Sequence, residues 1–299
     1  IGSTTSALSV AGYTPGGRTA QVEQWNGTNW TEVNDVSKVV AYMGAAGTVP
    51  AGLIFGGDTP PNTAQTESFN GTNWTEVGDL NTGRGYIGGC GTQTAAIVFG
   101  SNSSPKALTE TWNGTSWSET GDMILGREGM AGAGTNTAAL GIGGAGPPAQ
   151  TSTEEFSTTT AVGAWSTGGD LNEARSGMGS LGIQTASIAA SGSTSSGRPA
   201  NVESYNGTNW TEVNNLNQAK AFPGATGITT AALAFSGWLD ATPENSDKTE
   251  SWNGTNWTEV SALNTAKRSV KGLGIQTASL AVGGYSTTLL ASTELWTGS

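Results

Sequence analysis

Glutamate recurs at one fixed place along this chain. Glu23, Glu67, Glu110, Glu154, Glu203, Glu250 and Glu294 each stand two residues before an aromatic, in words such as "TESF", "TETW" and "VESY". A second series, Glu32, Glu76, Glu119, Glu212 and Glu259, follows a tryptophan two residues later. Carboxylates in this number are the material of general acid–base catalysis or of an oxygen-ligated cation. A residue that appears in every repeat is placed by the repeat and not by a single site. A basic residue recurs alongside, at Arg84, Arg127, Arg175, Lys220 and Lys267. The expectation is therefore that each strand glutamate pairs with a repeated base or with backbone donors between blades. Asp35, Asp79, Asp122 and Asp170 follow the second series and read as turn caps, since aspartate bonds its own backbone.

The absences narrow the chemistry further. The 299 residues include no histidine and one cysteine, Cys90. That excludes an intramolecular disulfide, a Cys/His zinc site and a histidine-based triad. Borderline transition metals prefer imidazole and thiolate, so no metal and no other cofactor is expected. Cys90 sits among glycines and reads as a small buried apolar group. "GGAG" at 143–146 precedes no helical pattern and no "GK[ST]" occurs, so a phosphate loop fails its own context. The net charge is −11 with 12 basic residues, which argues against a nucleic-acid partner. No stretch approaches the roughly 20 apolar residues of a membrane span, so membrane insertion is not expected. Ile1 at one end and "TELWTGS", inside the repeated phrase, at the other read as processed or truncated ends.

The elements that must position these residues repeat as well. "WNGTNWTEV" occupies 25–33 and returns at 252–260, with YNGTNWTEV at 205–213, FNGTNWTEV at 69–77 and the looser WNGTSWSET at 112–120. The second tryptophan falls at Trp30, Trp74, Trp117, Trp165, Trp210 and Trp257, a period of 43–48 residues. Each period holds four short apolar segments, A to D; one set is 85–92, 94–100, 108–112 and 117–120. Segment B is a continuous small-apolar run closed by glycine ("GLIFGG", "AAIVFG"), as in a strand covered on both faces. Segment A is mostly Gly and Ala, which suits an innermost strand where backbones crowd. "NGTN" between C and D supplies the positive φ of a tight hairpin, with an aromatic at each end. The NGT and NWT triplets also match the N-glycosylation pattern, but the hairpin already accounts for them.

Four antiparallel strands per period describe a β-propeller blade. Segments B and C occur seven times; D occurs six times, and A six times plus a stub at Ile1–Ser3. The expected fold is thus all-β: one domain over 1–299, a seven-bladed β-propeller of four-stranded antiparallel blades with the first and last incomplete. The double glycine after B (Gly56-Gly57, Gly143-Gly144, Gly283-Gly284), the C-strand Glu, the Trp opening D and the base before A resemble kelch repeats. The resemblance covers essentially the whole chain, although Val40 stands where the first base belongs and "STTTAVGA" replaces NGT before Trp165. The wording of the repeat is also similar to arrays in phage and environmental bacterial proteins. The resemblance implies a fold close to the central domain of galactose oxidase. That enzyme's copper chemistry needs histidine, which this chain lacks. A sialidase-like site would need an arginine cluster, and three of the six arginines occupy the repeat position.

The A–B and C–D turns are monotonous, whereas the seven B–C connections all differ, and loops on a rigid scaffold carry specificity. Trp238 opens the longest of them, "WLDATPENSDK", and is the one tryptophan of eleven outside the C–D hairpin. The expected contact surface is the B–C face with Trp238, Leu239, Asp240, Tyr13, Pro60 and Arg198. Trp238 is expected either as an exposed anchor for a sugar or protein, or as a cap on its own blade. The function these residues imply is non-enzymatic: a binding or structural module, with a propeller hydrolase or lyase as the alternative. Its partners are expected to be a host glycan or protein, or neighbouring subunits, at an extracellular or virion surface.

Overall fold

A computed structural model describes residues 1–145, 151–158, 163–239 and 244–298. They form β-strands without helices, arranged as seven antiparallel sheets in chain order plus a two-residue ribbon. Sheets two to six have four strands and sheets one and seven have three, as expected. The third is typical, with strands Gly88–Thr92, Ala95–Phe99, Thr109–Trp112 and Trp117–Glu119 in that spatial order. Sheet one (Ala7–Thr14, Gly17–Trp25, Trp30–Val33) lacks strand A, and the Ile1–Ser3 stub contributes only a bridge from Gly2 to Ala7. Sheet seven (Lys271–Ile275, Ala278–Val282, Thr293–Trp296) lacks strand D.

The chain groups into two compact units. Unit 1 is Ile1–Gly146 with Glu154–Thr167, and unit 2 is Pro147–Thr153 with Gly168–Ser299.

Register explains the repeated phrase. Trp112 pairs with Trp117 across the C–D hairpin, ring centroids 5.4 Å apart, and Trp252 pairs likewise with Trp257 at 5.2 Å. The loop between them has four residues. Only its glycine takes positive φ (Gly71, 94°; Gly254, 91°), and the preceding asparagine's Oδ1 accepts two amides, as Asn70 does from Thr72 and Asn73. The second tryptophan also seats against the sheet before it. Trp117 lies 4.9 Å from Phe55 and donates to Thr66 Oγ1 at 2.9 Å; Trp165 repeats this with Phe99 and Thr109.

The glycines of strand A have a more specific cause than crowding. The strand-B phenylalanine lies across them, so a Cβ on Gly44 would sit 2.1 Å from the Phe55 ring. In sheet four strand B ends in Ile142, and its partner is Ala131. The aspartates also act differently than expected. Asp35, Asp79 and Asp122 accept the strand-C amides of Val22, Thr66 and Thr109, tying the end of strand D to its neighbour rather than capping their own turn.

Candidate functional site

Five of the strand-C glutamates belong to the scaffold, while the strand-D series is exposed. Arg84 pairs with Glu110 at 2.6 Å, Arg127 with Glu154 at 3.2 Å, Arg175 with Glu203 at 2.5 Å, Lys220 with Glu250 at 3.2 Å and Lys267 with Glu294 at 3.0 Å. Both partners are buried in the first four pairs. Each carboxylate also accepts a backbone amide from the D–A connection, for example Asn81 N to Glu110 at 2.8 Å and Asn172 N to Glu203 at 2.8 Å. The motif is a staple that fixes the entry into strand A. Burial lowers the Arg84 and Lys220 pKa values, and the facing glutamate opposes that effect. Where Val40 replaces the base, Glu67 takes the amide and hydroxyl of Ser37 instead. Solvated acids for catalysis are not what this arrangement presents.

The residues that differ from blade to blade gather directly after the staple base. The third residue past strand B bridges to the residue after the staple base: Asp58 with Ala41, Ser193 with Ser176, Trp238 with Ala221, Tyr285 with Arg268. The residue after that bridge has positive φ in every described case: Tyr42 (52°), Tyr86 (55°), Gly129 (61°), Gly177 (59°), Phe222 (55°) and Ser269 (57°). Backbone bonds link successive members within each unit. Tyr86 N donates to Tyr42 O and Gly129 N to Tyr86 O; Phe222 N donates to Gly177 O and Ser269 N to Phe222 O.

In unit 1 this row carries tyrosines. Tyr42 stacks on Tyr86 at 4.0 Å and 18°, and Tyr13 leans on Tyr42 at 5.8 Å. Tyr42 is 47% exposed and Tyr13 43%. The Arg18 guanidinium lies over Tyr13 at 5.2 Å and binds Asp58 at 2.6 Å. Burial, then a bond to Tyr42, pushes the Tyr86 phenol up to about 12. Tyr13 thus joins residues that the sequence reading passed over. Pro60 is exposed in the connection that carries Asp58.

In unit 2 the row holds Gly177, Phe222 and Ser269, and two arginines lie beside it. Trp238 is half-buried, with Arg198 over its ring at 3.6 Å and Arg268 at 4.5 Å. Arg268 also stacks on Tyr285 at 4.6 Å and donates to Asn245 Oδ1 at 3.3 Å. Among the described residues no carboxylate pairs with Arg268. Arg198 Nη1 donates to the Leu239 carbonyl, so Arg198, Trp238 and Leu239 do come together. Asp240 lies outside the described residues, as do 146–150 of the fourth B–C connection and 159–162 before Trp165. Trp238 is thus half-buried, with two guanidinium groups near its ring. Tyr42, Tyr86 and Arg268 were visible only by aligning the repeats, where they replace Gly129 and Gly177 or follow the base.

Among the described residues no three His, Cys, Asp or Glu side chains gather as a metal site. Burial pushes the Cys90 thiol up to about 12, so its thiolate is scarce at neutral pH.

These sheets and their staples define the class: a β-propeller built of sequence repeats. No family model matches the chain, and no curated protein matches it. Among solved structures, one described as "Structure of YjhT" aligns with a TM-score of 0.64 at 13% identity, over 86% of this chain and 94% of that one. At that identity the likeness concerns the fold alone.

Proposed function

We propose that this propeller is a non-enzymatic binding module that contacts a host glycan or protein through its B–C connections and the adjoining D–A row. One observation carries the reading. Tyr42 and Tyr86 occupy left-handed backbone that glycine fills at the same repeat position in Gly129 and Gly177. The backbone does not require a side chain there, and a bulky residue with positive φ costs about 1–3 kcal/mol. Two phenols are kept at that cost, and Tyr42 is nearly half exposed instead of filling a core. Strain of this kind gathers at ligand sites. Aromatic faces beside a fixed Arg18–Asp58 pair offer stacking area and hydrogen bonds together.

The repeat wording and kelch-like pattern support an exposed setting, on a phage appendage, virion or bacterial surface. The test is binding of the chain to a printed array of bacterial surface glycans and to whole bacterial cells, with Tyr42→Gly and Trp238→Ala alongside. Tyr42→Gly is expected to lose at least tenfold in binding while its melting temperature holds or rises. If it melts lower and binds as before, the tyrosines are structural and the proposal fails.

A further inference from the structure

We infer that Arg268 is the anion-binding group of an acidic-glycan subsite in unit 2, taking the carboxylate of a uronic acid. The inference rests on the contact role proposed for the B–C face and names a ligand chemistry for it. Arg268 follows the staple base Lys267, and at that place in other repeats stand Ala41, Gly85, Glu128, Ser176 and Ala221. The scaffold therefore asks for no cation there. Its backbone makes the bridge common to these segments, to Tyr285, so only the side chain is new.

The guanidinium is held without being neutralised. It lies over the Trp238 ring at 4.5 Å and the Tyr285 ring at 4.6 Å, and Nη1 donates to Asn245 Oδ1 at 3.3 Å. Asn245 is itself fixed, since its Nδ2 donates to the carbonyls of Tyr285 and Ser286 at 3.2 and 3.0 Å. Arg18, Arg84, Arg127 and Arg175 each meet a carboxylate within 3.2 Å, whereas Arg268 meets none among the described residues. The third residue past strand B shows the contrast. In unit 1 it is Asp58, which pairs with Arg18 at 2.6 Å; here it is Trp238 and Tyr285, which stack on Arg268 and leave its charge in place. A guanidinium steadied in this way offers its remaining N–H donors as a fork that fits a carboxylate through two parallel bonds. Steadying it beforehand also removes part of the ordering cost of binding. The groups about it are amide, hydroxyl and ring: Asn245, the exposed Ser269, and the Trp238 and Tyr285 faces. That set suits the hydroxyls of a sugar ring beside its carboxylate, which favours a glycan over an acidic peptide.

The experiment titrates the 299-residue chain with trigalacturonate by calorimetry, with its neutral methyl ester and a triglutamate peptide as controls. Saturable binding of the trisaccharide is expected, at least tenfold weaker for the ester and for the peptide. Arg268→Gln should lose at least tenfold with an unchanged melting temperature. Arg268→Lys, which keeps the charge without the fork, should recover only part of that loss. Tyr42→Gly should bind trigalacturonate as the parent does, so failure here and failure of the unit 1 contact reading are seen separately. Equal binding of acid and ester, tighter binding of triglutamate, no saturation at millimolar trisaccharide, or full binding by Arg268→Gln would overturn the assignment.

Discussion

Units 1 and 2 run on one set of scaffold rules and diverge wherever those rules leave a position open. The staple serves both: Arg84–Glu110 in unit 1 and Arg175–Glu203 in unit 2 are equally buried and equally short. The row past the bridge differs. Unit 1 sets Tyr42 on Tyr86 beside an Arg18–Asp58 pair; unit 2 has Gly177, Phe222 and Ser269 there, and beside them Trp238 lies against Arg198 and Arg268. The A–B turns differ too: Thr48, Thr92 and Thr135 in unit 1 stand where unit 2 has Ile183, Ile228 and Ile275. What is repeated is what folds the chain, and what is not repeated is where ligand chemistry has room. Unit 2 sets two guanidinium groups, Arg198 and Arg268, against one indole, and Arg268 has no carboxylate partner among the described residues.

The largest effect should come from breaking what the units share. Arg84→Ala leaves the Glu110 carboxylate buried without its base, and losing one partner of a buried pair costs about 3–5 kcal/mol. Arg175→Ala should cost the same in unit 2. Glu67→Gln is the contrast, because Ser37 supplies its donors and no base is stranded; its cost should be clearly smaller. Urea unfolding of the three variants measures this, and a Glu67→Gln cost equal to the other two would show that the bases add nothing to the staple.

A subtler defect also appears once in each unit. Thr66 and Thr109 accept the indole N–H of Trp117 and Trp165. At the same position stand Val22, clustered with Trp74, and Val202, clustered with Trp257, and both indole nitrogens are buried without a partner. Val22→Thr and Val202→Thr should each add about 1 kcal/mol, the net worth of a hydrogen bond. A loss of stability in both, by thermal or urea unfolding, would mean the hydroxyl cannot turn toward the ring.

The repeat made most of the fold legible. "WNGT.W" specified the hairpin, its aromatic pair and the blade count, because tight turns and cross-strand partners are local and recur. What could not be read were consequences of contacts between segments far apart in sequence. The strand-A glycines answer to a phenylalanine ring across the ladder, and the aspartates to an amide 13 residues back. Trp238 stands apart in the sequence as the tryptophan outside the repeated hairpin. Its arginine companions come from positions 198 and 268, which no local pattern joins to it. Tyr42 and Tyr86 look like ordinary strand-flanking aromatics until φ is known.

The smallest effect concerns the isoleucines. Ile183, Ile228 and Ile275 are 58%, 58% and 59% exposed, each at the end of strand A just after a glycine of positive φ. Their threonine counterparts in unit 1 take the same turn, so the backbone does not need a branched apolar side chain there. Side chains this exposed bury little area, and replacing all three with threonine should change stability by no more than about 0.5 kcal/mol per site. Colloidal behaviour should shift more, because three exposed isoleucines in consecutive turns supply apolar surface that unit 1 does not have. Light scattering of the triple variant against the parent at rising concentration reads this directly, with less self-association expected. If the triple variant instead unfolds several degrees earlier, the isoleucines pack more than their exposure indicates. The contrast between the two sets of A–B turns would then belong to the scaffold.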